Sequence, residues 1–260
     1  MEALLTYDSV EISFGETTVV RDMSFSLRSG EILGLVGESG SGKSTIVKAA
    51  MGLLGNNGLV NRGDIWFDGK NLPDLPEKEM RRIRGGKIGM IFQDAGASLC
   101  PIRTIGEQIF ESMTAHRKIS KAEAKEAALA LFAKLRFKDG ERIWNSYPFE
   151  LSGGMSQRAG IAIAVLLNPA VLLADEPTSA LDVAVQRQVV EEMLALREMF
   201  GTAIILVTHD IGVVSVMADS VLVLQRGNRM EYGRARDVLD HPQNDYTRKL
   251  LSAVPKLRRA

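Results

Sequence analysis

Residues 31–45, EILGLVGESGSGKST, constrain this chain more than any other stretch. Glu31 to Val36 is an apolar run with the length of a buried strand, and Ser44 to Leu54 reads as the helix after it. Between them, Gly37-Glu38-Ser39-Gly40-Ser41-Gly42-Lys43-Ser44 matches G-x-x-x-x-G-K-[ST]. The glycines let backbone N–H groups approach phosphate oxygens with no Cβ in the way. In such a loop, reaching to Thr45, Lys43 neutralises β- and γ-phosphate charge and the Ser44 hydroxyl ligates Mg²⁺. A glycine turn with a stray lysine is the bland alternative. A strand before the loop and a helix after it are the context that separates the two.

The remaining pattern is that of an α/β fold. Residues 4–28 alternate apolar and polar around a turn at Gly15-Glu16 and read as antiparallel strands. Asn56 to Asn61 reads as a loop, Asp64 to Asp68 as a short strand and Lys87 to Phe92 as a buried strand. From Thr104 to Phe137 the period becomes helical, with Lys121 to Leu135 as an amphipathic helix. Ala170–Ala174 and Ala203–Val207 are apolar strands flanking a helix from Val183 to Phe200. That alternation predicts a parallel sheet covered by helices. Val221–Gln225 and Arg229–Tyr232 form an expected hairpin around Gly227-Asn228. The helical segment, about 94–165, interrupts a strand-bearing core and reads as an insertion.

Two further motifs carry chemistry. Leu151 to Arg158, LSGGMSQR, is polar and precedes the apolar helical run Ala159–Leu167. Ser152 offers a hydroxyl, and Gly153 and Gly154 offer unshielded N–H groups, at a helix start suited to anions. A chain with two phosphate-binding devices suggests a nucleotide held between two copies of such a domain. Ala170-Val-Leu-Leu-Ala174-Asp175-Glu176 is an apolar strand ending in two acids. The first is placed to hold Mg²⁺, the second to polarise an attacking water. Two solvated acids at a strand end are the alternative.

LSGGMSQR resembles the signature of ABC-type ATPases, and the resemblance extends over nearly the whole chain. The order of phosphate loop, Gln93, LSGGMSQR, LLADEP, Ser179-Ala-Leu-Asp182 and His209 is similar to that of an ABC transporter's nucleotide-binding subunit. It implies a single domain over 1–260, with a RecA-like P-loop NTPase core and parallel sheet. An antiparallel β subdomain would share about 1–93 and 166–234 with that core. An inserted α-helical subdomain would occupy about 94–165 and a tail about 235–260. It also implies ATP and Mg²⁺. Gln93 would touch Mg²⁺ or the attacking water and report to membrane subunits. Asp182 would contact the opposite subunit, His209 would reach the γ-phosphate, and Phe14 would stack on adenine. For Phe14 an ordinary strand-core role stands beside that one, since Tyr7 is a neighbouring aromatic.

Two segments narrow the resemblance to oligopeptide, dipeptide and nickel importer ATPases. The first is Gln93-Asp-Ala-Gly-Ala-Ser-Leu99-Cys-Pro101 with Thr104-Ile-Gly-Glu-Gln108. The family pattern there is close to QDPxxSLNPxxTIGEQ; Ala95 and Cys100 depart from it. The second is the tail His241 to Pro255, similar to HPYTxxLLxxxP with Asn244-Asp245 in place of the His-Pro pair. Longer peptide-importer members carry iron–sulfur cysteines beyond this tail; none is present here, so no cluster is expected. The short form leans towards a nickel or metallophore importer, with short peptide importers as the alternative. The implied partners are a second ATPase subunit, two transmembrane permease subunits and an extracytoplasmic substrate-binding protein. The second ATPase is a related chain, with a homodimer as alternative. Rival readings are an exporter or lipoprotein-release ATPase, a non-transport ABC ATPase, and a non-hydrolysing regulatory module.

Composition agrees with a peripheral protein at the cytoplasmic face of the membrane. Hydrophobic residues make up 45% and charged residues 25%, enough for a full core. Lys+Arg and Asp+Glu are 32 each, so no basic surface points to nucleic acid. Cys100 is the single cysteine, which rules out an intramolecular disulfide; it reads as a partly buried loop residue. No apolar run has bilayer-spanning length, and the start MEALLTYDSVEIS carries acids where a signal peptide carries bases. The basic end Lys256–Arg259 reads as solvated.

Overall fold

A computed structural model describes residues 3–179 and 181–253 of the protein. Met1 and Glu2, Ala180 of the Ser179–Asp182 motif, Pro255 of the tail and the basic end Lys256–Arg259 lie outside the described residues. In chain order the elements are β1 (Ala3–Phe14), β2 (Thr17–Arg28), β3 (Ile32–Gly37), α1 (Lys43–Ala50), β4 (Gly58–Phe67), β5 (Lys70–Asn71), α2 (Glu77–Ile83), β6 (Ile88–Ile91), α3 (Ile105–Thr114), α4 (Lys121–Lys134) and α5 (Gly140–Asn145). They continue with α6 (Gly153–Val165), β7 (Val171–Asp175), α7 (Val183–Phe200), β8 (Ala203–Val207), α8 (Ile211–Met217), β9 (Ser220–Gln225), β10 (Asn228–Arg234), α9 (Ala235–Asp240) and α10 (Asp245–Ser252). They form two compact units: a terminal unit, Met1–Pro76 with Ala203–Ala260, and a central unit, Glu77–Thr202.

The terminal unit contains an antiparallel sheet in the order β2-β1-β4-β5. Beside it, β3 pairs in parallel with both β8 and β9, and β10 closes antiparallel on β9. Every residue of β3 and β8 is buried, which is why both read as unbroken apolar runs in the sequence. α1 contacts β2 and β4 as well as β3 and β8, so it packs against strands of both sheets. Tyr7 ties β1 to α1. Its ring stacks on Phe25 at 4.4 Å between centroids, and its hydroxyl donates to the Ile46 carbonyl at 2.8 Å. Tyr7 is therefore core, and Phe14, at the far end of β1, is the exposed aromatic. β4 begins at Gly58, inside the stretch expected to be a loop. The long partner β1 supplies a ladder from Phe14↔Gly58 to Leu5↔Phe67, and that pairing overrides the weak strand preference of Gly and Asn.

In the central unit β6 and β7 pair in parallel, from Ile88↔Val171 to Ile91↔Ala174. Helices α3 to α6 lie between them in sequence. Thr104 and Ser120 each form a capping box, with Glu107 and Glu123 respectively, which fixes where α3 and α4 begin. The face that α4 buries is narrow: Ala124, Ala128, Leu131 and Phe132. α7 runs over the expected residues, started by the Asp182 side chain and ended by Gly201 in the left-handed region at φ 65°.

Candidate functional site

In the terminal unit, β3 delivers the chain into the glycine loop and α1 receives it. Gly37 has φ 153°, and a Cβ there would stand 2.2 Å from the Leu224 carbonyl oxygen on β9. No side chain caps α1, whose N-cap Gly42 is left-handed at φ 103°. Its first-turn N–H groups are thus presented at a bare loop, the arrangement that receives phosphate. Ser41 is buried with its hydroxyl unpartnered. The Lys43 ammonium donates to the carbonyls of Gly37 at 2.8 Å and Glu38 at 2.9 Å, which folds it over the loop. Bare backbone, a buried hydroxyl and a held cation fit a phosphate group. Glu38, Ser39 and Gly40 form the exposed outer turn, while Ser44 and Thr45 lie in the first turn of α1.

His209 follows β8. The pairing Leu35↔Val207 and the bond from Thr208 N–H to the Leu35 carbonyl, 3.2 Å, hold the carboxyl end of β8 beside that of β3. His209 is exposed there, and Asp210 next to it caps α8 through the N–H groups of Gly212 and Val213. Ligands of open parallel sheets sit at this strand edge. The Phe14 ring is 36% exposed and packs over Gly58, whose Cβ would meet it at 2.8 Å.

In the central unit the β6–β7 pairing brings Gln93 and the two acids to one strand edge. Gln93 Nε2 donates to Glu176 Oε2 at 3.4 Å. Asp175 is 2% exposed at the end of β7. Glu176 departs from ordinary backbone, with φ 49°. A non-glycine residue in that region is strained, and such strain concentrates at working sites. The Glu176 carbonyl accepts from Ser179 N–H at 3.1 Å, and the Ser179 hydroxyl lies 3.0 Å from it and 3.2 Å from the Gln93 carbonyl. These bonds hold the bend.

The signature lies at the start of α6. The Ser152 hydroxyl accepts from Met155 N–H at 3.3 Å, an N-cap. The two glycines differ. A Cβ on Gly153 would meet nothing within 4 Å, whereas one on Gly154 would stand 2.8 Å from Val185 Cγ1 on α7. The open bare face is Gly153; Gly154 allows close packing beside Asp182, which caps α7. Gln157 has a role that sequence reasoning missed. It is 5% exposed, accepts from Ala95 N–H at 3.1 Å and donates to the Pro177 carbonyl at 2.8 Å. It fastens the segment after Gln93 to the turn after Glu176. Residue type carries no signal of this role, because both partners are backbone atoms. Cys100 is half-buried in its loop, as expected.

Comparison with known proteins agrees with this geometry. A family model described as ABC transporter matches residues 20–179. The chain is 46% identical over 258 residues to the oligopeptide transport ATP-binding protein OppD of Salmonella typhimurium, covering 98% of this chain and 77% of that one. It is 43% identical over 259 residues to the dipeptide transport ATP-binding protein DppD of Lactococcus lactis, with 98% and 74% covered. Among solved structures, the ATP-binding cassette MJ0796, as a dimer in a post-hydrolysis state bound to ADP and Pi, matches with a TM-score of 0.78 at 29% identity. That match covers 89% of this chain and 99% of the other. CbiO1 from Clostridium perfringens shares the fold, with a TM-score of 0.80 at 24% identity over 98% and 97% of the two chains. Phosphate loop, strand-end acids, signature helix and these similarities together place the chain in the ABC transporter family, as one of its ATP-binding ATPases.

Proposed function

We propose that this chain is the ATP-hydrolysing subunit of a peptide importer, working at the cytoplasmic face of the membrane. Its partners in this reading are two permease subunits, an extracytoplasmic substrate-binding protein and a second ATPase subunit, a related chain or a second copy. One observation carries the reading. The chain has a phosphate cradle at Gly37–Thr45 and, separately, an open glycine at a capped helix start, Ser152–Gly153. One nucleotide needs only one cradle, so the second device faces the nucleotide of another subunit, with Asp182 and Gly154 beside it. The relatives' names favour peptides over nickel chelates as cargo. No described helix is long and apolar enough to cross a membrane, so passage falls to the permeases. The division into a core with β subdomain, a helical subdomain at about 94–165 and a tail from about 235 belongs to the same proposal.

When bound, Mg²⁺ would supply neutralisation of the nucleotide's phosphate charge. Ser44, Gln93 and Asp175 would hold it, directly or through water. No three His, Cys, Asp or Glu side chains converge among the described residues. That suits an ion that arrives on phosphates and takes few protein ligands. Lys43 neutralises the β- and γ-phosphates and Phe14 stacks on the base. The water oxygen bonds to the γ-phosphorus as the bond to the bridging oxygen breaks, and the water proton moves towards the Glu176 carboxylate. His209 senses the γ-phosphate. The γ-phosphate favours the closed pair of subunits and its loss reopens them; the segment after Gln93 passes that movement to the permeases.

Lys43→Ala tests the reading directly. Losing a charged contact to phosphate should weaken MgATP binding about ten-fold or more, as measured by calorimetry. Unchanged affinity would remove the cradle assignment. In the reconstituted complex, peptide-loaded binding protein should raise ATP turnover and a nickel chelate should not; the reverse result would reassign the cargo.

A further inference from the structure

The tail from His241 has no part in the mechanism above, yet the first turn of α10 meets the phosphate loop. Its start is firmly held. The Glu231 carboxylate on β10 accepts from the N–H groups of Gln243 at 2.8 Å and Asn244 at 3.2 Å. Asn244 Oδ1 accepts from Tyr246 N–H at 2.8 Å. The Arg248 guanidinium donates to the carbonyls of Pro242 at 2.8 Å and Gln243 at 3.1 Å. Tyr246, 9% exposed, shares one buried cluster with Val36, Val214, Val221 and Val223. That cluster includes the strand residue that immediately precedes Gly37.

The Tyr246 hydroxyl accepts from the backbone N–H of Glu38 at 3.3 Å. The carbonyl of that same peptide unit, Gly37 O, accepts from Lys43 Nζ at 2.8 Å. One peptide plane therefore carries the tail's phenol on its N–H and the cradle's ammonium on its C=O. Pinned at both ends, the plane cannot turn without breaking one of the two bonds, and each bond polarises the peptide in favour of the other. Phenylalanine would fill the same apolar space. The hydroxyl aimed at a loop amide is what tyrosine adds.

We propose that Tyr246 is a positioning residue for ATP. By accepting from Glu38 N–H it sets the Gly37–Glu38 peptide, whose carbonyl holds Lys43 in place for the nucleotide phosphates. The C-terminal helix is then a working part of the nucleotide site. This rests on the reading of Gly37–Thr45 as the ATP cradle, and the test separates the two.

The experiment uses the full chain with Tyr246→Phe and, in parallel, Lys43→Ala. Each is titrated with MgATP by calorimetry, and the Glu38 amide is followed by nuclear magnetic resonance. Tyr246→Phe should weaken MgATP binding about three- to ten-fold, the loss of one net hydrogen bond transmitted to the lysine. The Glu38 amide proton should shift upfield and exchange faster, while the melting temperature stays near that of the wild type. A lower melting temperature with unaltered MgATP affinity and an unmoved Glu38 resonance would reduce Tyr246 to a core residue and overturn the proposal. If Tyr246→Phe binds as the wild type while Lys43→Ala does not, the tail's role falls and the cradle stands. If Lys43→Ala also binds as the wild type, the cradle reading falls, and the tail's role with it.

Discussion

Glu176→Gln should lower ATP turnover by about 10²–10⁴-fold, the range for loss of a positioned proton acceptor. MgATP binding should persist, and the two subunits should stay closed around unhydrolysed nucleotide. The substitution keeps size, hydrogen-bonding reach and backbone while removing the charge that would draw the water's proton. The local structure singles out this residue over its neighbour. Asp175 is sequestered at the end of β7, suited to a fixed role near Mg²⁺. Glu176 bends out at φ 49°, a conformation costing about 1–3 kcal/mol that persists only when its surroundings impose it. Ser179 imposes it through the Glu176 carbonyl, and Gln93 meets the carboxylate at 3.4 Å. Phosphate release and gel filtration with MgATP are the measurements. Hydrolysis at the wild-type rate would remove Glu176 from the proton-accepting role.

The parts legible in the sequence are those whose chemistry is local. The loop from Gly37 to Ser44 carries its strand, turn and helix within a few residues, so its reading needs no tertiary information. The α7 span was legible for the same reason: Asp182 caps its start and Gly201 ends it. The closeness of Gln93 and Glu176 was not legible from residues alone, since 83 positions separate them and the β6–β7 pairing alone brings them together. Only the order of motifs in a known family suggested it. The early start of β4 at Gly58 was hidden because a long partner strand decides it, against local preference. α8 was hidden by its length, one short run whose start depends on Asp210. Gln157 and Tyr246 were missed for a shared reason. Each acts on backbone atoms of a distant segment, and backbone partners leave no trace in residue type.

Arg158→Ala and Glu192→Ala should each destabilise the protein by about 3–5 kcal/mol, the cost of stranding one member of a buried ion pair. Arg158 closes the signature run and points inward within the central unit. Its Nε donates to Glu192 Oε1 on α7 at 2.5 Å, and its Nη2 donates to the Leu135 carbonyl at the end of α4 at 2.7 Å. Its guanidinium also lies 4.1 Å over the Phe137 ring. The two side chains are 9% and 5% exposed, so water cannot replace a lost partner. The pair is not fully matched, since Glu192 Oε2 is buried without a partner. Arg158→Met combined with Glu192→Leu should therefore recover most of either single loss, because both charges leave the interior together. Burial pushes the Glu192 carboxyl up from 4.5 to about 7, against the lowering pull of Arg158. The folded chain then takes up this proton more readily than the unfolded one. The contribution is full below 4.5 and is lost as pH rises through about 7. Denaturant unfolding at about pH 5 and about pH 8 should thus show a steeper fall in stability for the wild type than for Glu192→Gln. In Arg158→Ala the lone carboxyl rises further, so its loss should shrink at the acid end. A loss under about 1 kcal/mol for either single variant would put this pair on the footing of an exposed one such as Arg187–Glu191, 82% and 52% exposed. The end of the signature would then have no anchoring role in the central unit.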